Sequence, residues 1–142
     1  MIFVIDVGNT NTVLGVYQGT TLVQDWRVRT EQNVTEDEFN VLVTNLLNLS
    51  GIDPKGFRKT VISCVVPPMM TILEAFCRKY LGHAPQWVAP RHCAQMPILY
   101  NNPADVGADR IVNAVGAYHR YRCSLVIIDF GTATTFDAIS EA

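Results

Sequence analysis

A ten-residue pattern occurs twice, once at the start of the chain and once close to its end. Phe3-Val4-Ile5-Asp6-Val7-Gly8-Asn9-Thr10-Asn11-Thr12 aligns without gaps with Val126-Ile127-Ile128-Asp129-Phe130-Gly131-Thr132-Ala133-Thr134-Thr135. Each copy is an apolar strand, then Asp-x-Gly, then a polar turn leading into a second strand. The copies lie much too far apart for a solenoid, whose repeats recur every ~20–50 residues. Two related domains that begin with the same hairpin account for the spacing: residues 1–124 form the first, and 125–142 the opening hairpin of the second.

The hairpin has a specific chemistry. An aspartate at the end of a buried strand can hold a cation or its waters. A glycine two residues on lets the backbone approach an anion, since no Cβ intrudes. Backbone N–H groups and threonine hydroxyls of the turn can donate to phosphate oxygens. Two such turns facing each other would grip the phosphates of a nucleotide from both sides. One Asp-x-Gly alone is a common hairpin turn; two copies with matched flanks favour the ligand role. The sequence has no GxxxxGK[ST] loop and no GxGxxG after a strand, so the P-loop and Rossmann alternatives lose their main support.

The 142 residues are 49% apolar and 17% charged, which excludes an intrinsically disordered chain. Eleven basic against thirteen acidic side chains give a net charge of −2, too little positive charge for a general nucleic-acid binder. The N-terminal apolar run stops at Asp6 with no basic region before it, so neither an export signal nor a membrane span is expected, and the protein reads as soluble and cytoplasmic. Cys64, Cys77, Cys93 and Cys123 form no CxxC pair. Reduced thiols, several of them in the core, are a better reading than a zinc site built on His92, Cys93 and a distant cysteine.

Strands are expected over 2–7, 12–17 and 22–29, an antiparallel meander with short turns. Thr35 and Glu38 fit a capping box opening a helix, with Phe39, Leu42, Leu46 and Leu49 at helical spacing and Gly51 as its left-handed stop. A strand over 60–66 is stopped by Pro67-Pro68; Ile72, Leu73, Phe76, Cys77 and Tyr80 mark a second helix ended by Gly82. A short strand follows over 86–89, then a loop over 90–106. A third helix over 108–121 carries Ile111, Val112, Val115 and Tyr118 on one side, and strands over 125–128 and 134–139 close the chain. The 125–128 run is apolar at every position, a pattern that wants burial on both faces. The meander followed by strand–helix alternation gives an α/β fold, a mixed sheet covered by helices.

These turns resemble the phosphate-binding turns of the actin-like ATPase (ribonuclease H-like) superfamily, which includes sugar kinases, acetate kinases and heat-shock chaperones. Within it the chain is most similar to the type III pantothenate kinases. Their markers stand in order here: Asp6-Val7-Gly8-Asn9-Thr10-Asn11-Thr12, Ser63-Cys64-Val65-Val66-Pro67-Pro68, Tyr100-Asn101-Asn102-Pro103, Gly107-Ala108-Asp109-Arg110 and Asp129-Phe130-Gly131-Thr132-Ala133-Thr134-Thr135. The resemblance implies transfer of the γ-phosphoryl group of ATP, with Mg²⁺, to the primary hydroxyl of pantothenate, the first step of coenzyme A synthesis. It implies that Asp6, Val7, Gly8, Asn9, Thr10, Asn11, Thr12 and Val13 form the first ATP turn and that Thr132 belongs to the second. It further implies Asp129 as ligand of a monovalent cation (K⁺ or NH₄⁺), Asp109 as catalytic base, Tyr100, Gly107, Ala108, Asp109 and Arg110 as pantothenate-binding residues, and a homodimer.

Those roles are chemically reasonable. Pantothenate carries a carboxylate, and Arg110 offers a guanidinium suited to bidentate pairing. A carboxylate near the attacking hydroxyl can accept its proton as transfer proceeds. Taken alone, Asp109-Arg110 reads first as a helix-start charge followed by a surface ion pair, the default for such a dipeptide. Family members are considerably longer than this chain, which ends thirteen residues after Asp129, so it reads as an N-terminal part expected to be inactive alone. Two other functions fit the same fold: an accessory or regulatory protein, or an actin-like kinase acting on acetate or a sugar.

Overall fold

The computed structural model describes residues 1–89 and 96–141. It divides into two compact units, Met1–Trp87 and Val88–Ala142. His92 and Cys93 lie outside the described residues.

The first unit is built on a five-stranded mixed sheet in the order β3-β2-β1-β4-β5. β1 (Ile2–Val7), β2 (Asn11–Gln18) and β3 (Thr21–Arg29) are the expected antiparallel meander. β4 (Lys59–Cys64) and β5 (Gln86–Trp87) add on in parallel, β4 beside β1. Alternation along β1 sends Phe3, Ile5 and Val7 into the core, where Leu14 and Val16 of β2 and Ile62 of β4 join them.

Two helices supply the rest of that core. α1 (Glu36–Leu49) opens on a complete capping box: Thr35 Oγ1 accepts from the Glu38 amide at 3.2 Å, and the Thr35 amide donates to Glu38 Oε2 at 2.8 Å. It closes on Gly51 at φ +67°, with Gly51 N donating to Asn48 O and Ile52 N to Leu47 O, the paired bonds of a Schellman motif. Its buried stripe is Phe39, Val43 and Leu47. Phe39 is buried as expected, but beyond it the stripe shifts by one position to Val43 and Leu47, leaving Leu46 half-buried and Leu42 and Leu49 exposed. Apolar residues at both 42–43 and 46–47 leave the phase of the helix to be set by packing.

α2 (Pro67–Phe76) corrects a second expectation. The strand before it ends at Cys64, not at 66, and Pro67-Pro68 begins the helix rather than merely stopping the strand. Proline is favoured in the first helical turn because its missing N–H has no intrahelical partner there. α2 passes into a π-helical turn, Cys77–Leu81, which Gly82 ends at φ +74°. Leu73, Phe76 and Cys77 are buried as expected, whereas Tyr80 is exposed. Burial pushes the Cys77 thiol up to about 12, an inert core thiol. Cys64 is half-buried and Cys123 exposed.

The second unit contains α3 (Ala108–Tyr121) and an antiparallel hairpin of β6 (Leu125–Phe130) and β7 (Thr134–Ile139). On α3, Ile111 is buried and Ala114 and Tyr118 are half-buried, but Val112 and Val115 are exposed, contrary to expectation. The hairpin also departs from expectation, because only one of its faces is covered. Leu125, Ile127, Asp129, Asp137 and Ile139 lie on the partly buried face, while Val126, Ile128, Phe130 and Phe136 are exposed. No helix among the described residues is long and apolar enough to cross a membrane.

Candidate active site

The Asp6 end of the first hairpin is fixed by sheet geometry. Val7 pairs with Thr12, and Gly8 N donates to Asn11 O at 3.0 Å to close the loop between them. A Cβ on Gly8 would stand 3.2 Å from that Asn11 oxygen, so glycine belongs here for steric reasons. Asn9, Thr10 and Asn11 are exposed around the loop, as is Asp6. Val7 and Thr12 are not: their side chains point to the core face and could offer a ligand only backbone groups. Val13, half-buried, pairs with Asp6 on the opposite face.

Thr12 has a partner that sequence reasoning missed. Thr30, at the end of β3, donates its hydroxyl to Gly8 O at 2.7 Å and its amide to Thr10 O at 2.9 Å. Its one hydroxyl proton is thereby used, so Thr12 must be the donor in the 2.9 Å contact between the two hydroxyls. The threonines are 1% and 9% exposed, and together they tie the loop to the body of the sheet.

Asp6 also has an unassigned neighbour. Ser63 of β4 is its register partner across the parallel pair, on the same sheet face, at the carboxyl ends of both strands. Open α/β sheets bind ligands at that end. Ser63 is 5% exposed, and its hydroxyl has no hydrogen-bond partner among the described residues. A buried hydroxyl left unpaired beside an exposed carboxylate and a glycine turn suits a polar ligand. Mg²⁺ keeps most of its waters and takes one or two carboxylates, so the single carboxylate of Asp6 fits it.

The second hairpin repeats the first with a shorter loop. Phe130 pairs with Thr134, Asp129 with Thr135, and Gly131 N donates to Ala133 O at 3.2 Å. The loop thus has one residue fewer than its N-terminal counterpart, and the gapless match runs out of register beyond the turn. Thr132 is exposed at the tip. Asp129 accepts from Asn113 Nδ2 of α3 at 3.3 Å. Among the described residues no three His, Cys, Asp or Glu side chains gather in a metal-binding group. A cation at Asp129 would therefore need backbone or ligand oxygens for the rest of its shell.

The remaining residues meet at the start of α3. Gly107 is its N-cap, and Ala108, Asp109 and Arg110 form the first turn. Asp109 Oδ1 accepts from the Arg110 amide at 2.8 Å, a carboxylate at the positive end of the helix dipole. Arg110 donates from Nε to Asp137 Oδ1 at 2.8 Å and to Oδ2 at 3.1 Å, and from Nη2 to Oδ1. Asp137 raises the proton affinity of the guanidinium further, and Tyr100, whose ring centroid lies 5.5 Å from Arg110 Cζ, adds to that effect. A cavity of about 400 Å³ opens here, lined among others by Leu99, Tyr100, Arg110, Tyr118, Phe136 and Asp137. It is mostly apolar with one charged pair, a lining suited to a small organic acid. Gly107, Ala108 and Asp109 do not line it.

The family model described as type III pantothenate kinase matches residues 2–142. Proteins named type III pantothenate kinase from Desulfatibacillum aliphaticivorans and Desulforapulum autotrophicum are 61% and 60% identical over 141 residues. The matches cover 99% of this chain and 55% and 54% of those proteins, so the chain spans about half the length of the curated relatives it matches. A solved structure from Porphyromonas gingivalis, provisionally described as an N-acetylglucosamine kinase, superposes with a TM-score of 0.55 at 12% identity, covering 99% of this chain and 45% of that one. At that identity the likeness establishes the fold, which is the mixed α/β fold of the actin-like ATPases. The glycine turns, the ordered markers and the match over residues 2–142 together establish that the chain belongs to the type III pantothenate kinase family.

Proposed function

We propose that the whole protein carrying this chain is a pantothenate kinase, transferring the γ-phosphoryl group of ATP to the primary hydroxyl of pantothenate. The observation that carries this reading is the first turn of α3, where Arg110 lines the 400 Å³ cavity beside Tyr100 and Asp109 directly precedes it, in a chain of this family. Arg110 recognises the carboxylate of the acceptor. Asp109 takes the proton of the attacking hydroxyl as oxygen bonds to the γ-phosphorus and ADP leaves. The Gly8 turn, with Asn9, Thr10 and Asn11 exposed, and the Thr132 turn contribute donors to phosphate oxygens. Mg²⁺, held through Asp6, supplies charge neutralisation when bound, and Asp129 contributes one oxygen to a monovalent cation. Domains at 1–124 and 125–142, a homodimer and a cytoplasmic location complete the proposal, on the strength of the repeated hairpin and of the family.

The test is a coupled ATP assay on the full-length protein, with and without pantothenate and potassium. ATP consumption is expected only with pantothenate. Asp109→Asn should abolish turnover while leaving the far-UV dichroism unchanged; retained turnover removes Asp109 from the mechanism. Consumption with acetate or a sugar instead would identify another actin-like kinase, and no consumption at all an accessory protein.

A further inference from the structure

The Arg110–Asp137 pair carries an inference that rests on the kinase reading and deepens it. Arg110 stands in the first turn of α3, and Asp137 on β7, in register with Ile127 of β6. Their side chains are 24% and 16% exposed, in the wall of the 400 Å³ cavity. Asp137 engages one edge of the guanidinium, the Nε/Nη2 edge, with both carboxylate oxygens. A guanidinium has five N–H donors in a rigid plane. Two of them are used by Asp137, and the end-on Nη1/Nη2 edge still has a donor on each nitrogen.

We propose that Asp137 is the positioning residue for Arg110, holding the guanidinium by its Nε/Nη2 edge so that the Nη1/Nη2 edge meets the carboxylate of the acceptor. Arg110 then serves two carboxylates at once, one from the protein and one from the ligand. The long side chain is ordered before the ligand arrives, so binding does not have to immobilise it. The Tyr100 ring beside Arg110 Cζ restricts the plane of the guanidinium as well. Because Asp137 balances the charge of Arg110, the site offers directed donors rather than a bare cation. It accordingly selects for a carboxylate of the right reach, and less strongly for negative charge in general.

Full-length enzyme is assayed with pantothenate and with its unsubstituted primary amide, which keeps the reacting hydroxyl and the size of the acceptor and lacks the carboxylate. Asp137→Asn should raise KM for pantothenate about tenfold, the scale expected for a lost charge-assisted hydrogen bond. Its kcat, and its KM for the amide, should stay within about twofold. In Arg110→Lys, whose ammonium cannot serve two carboxylates side by side, adding Asp137→Asn should change KM little further. A KM for pantothenate that falls or does not move shows that Asp137 competes with the acceptor instead of positioning its partner. An equal rise for both substrates shows a purely structural role; either result overturns the proposal. In unmodified enzyme, the Arg110 Nε–H resonance should remain protected from exchange when pantothenate binds, and its loss would show that the ligand displaces Asp137. Absence of pantothenate-dependent ATP consumption by unmodified enzyme overturns the kinase reading and this proposal with it, whereas turnover combined with any other overturning result refutes the proposal alone.

Discussion

Replacing Thr30 with valine tests whether the Gly8 turn is fastened from outside itself. Valine keeps the shape of threonine and the backbone amide that donates to Thr10 O, but removes the hydroxyl. Two hydrogen bonds go with it: the 2.7 Å donation to Gly8 O and the 2.9 Å bond received from Thr12. At about 1 kcal/mol each they account for ~2 kcal/mol, and the stranded Thr12 hydroxyl, in a residue 1% exposed, adds ~1 kcal/mol more. Thr30→Val should therefore destabilise the first unit by roughly 2–4 kcal/mol. Thr12→Val removes only the outer bond and should cost about 1 kcal/mol. The double variant no longer strands a buried hydroxyl, so its cost should fall short of the sum of the single costs. Urea unfolding followed by the fluorescence of Trp26, which packs against this core, gives the free energies. Amide exchange at Gly8 reports the loop directly and should speed up in Thr30→Val. A Thr30→Val chain within 0.5 kcal/mol of the unmodified one, or additive single and double costs, would refute the idea that the three groups act as one fastening.

The α1 cap makes a pH-dependent prediction. The Thr35 amide and hydroxyl hold the Glu38 carboxyl below its ordinary value of 4.5, so its contribution to stability is present above that value and is lost as pH falls through the lower folded-state value. Thr35→Ala keeps the amide and removes the hydroxyl, so it should return the Glu38 titration, followed by carboxyl carbon NMR, only part of the way to the ordinary value, and an unchanged titration would leave the amide as the sole cause. The uncovered face of the β6–β7 hairpin, with Phe130 81% and Phe136 64% exposed, should make the 142-residue chain self-associate. Phe130→Lys should lower its light scattering at equal concentration, and equal scattering from both chains would locate the association elsewhere.

What could be read directly from the sequence was local. The capping box and the Gly51 stop were legible because Thr35, Glu38 and Gly51 act on neighbours within one turn of α1. The strand-turn-strand character of both hairpins was legible for the same reason. The phase of the helices was not. On α1 the run of apolar residues permits a stripe through Leu42 or through Val43, and only packing against the rest of the core, α2 included, chooses between them. On α3, Val112 and Val115 look like core by composition, yet the surface that Ile111 covers does not extend to them. Pro67-Pro68 was ambiguous because the same residues that disfavour a strand also suit the first turn of a helix.

The site divides along the same line. Asp6 and Gly8 were visible because a spacing of two residues carries their chemistry, whereas Asp109 and Arg110 were singled out only by the family resemblance. Thr30 and Asp137 were invisible because register and packing, not sequence neighbourhood, bring them to their partners: Thr30 acts on Gly8 and Thr12 through the β2–β3 return, and Asp137 reaches Arg110 from a strand that follows α3. The repeat itself shows how far local identity can be trusted. Asp and Gly stay in phase in the two copies, but the shorter second loop places Thr134, not Thr135, opposite the residue that corresponds to Val7. Adjacent threonines at 134 and 135 hide that slip from any residue-by-residue match. A one-residue slip turns a side chain to the other face of a strand. Thr12 is buried against Thr30 on the core side, so its counterpart by register is Thr134, and Thr134 is exposed. Among the described residues, then, the two turns share the aspartate and the glycine, and the threonine fastening stands at the first.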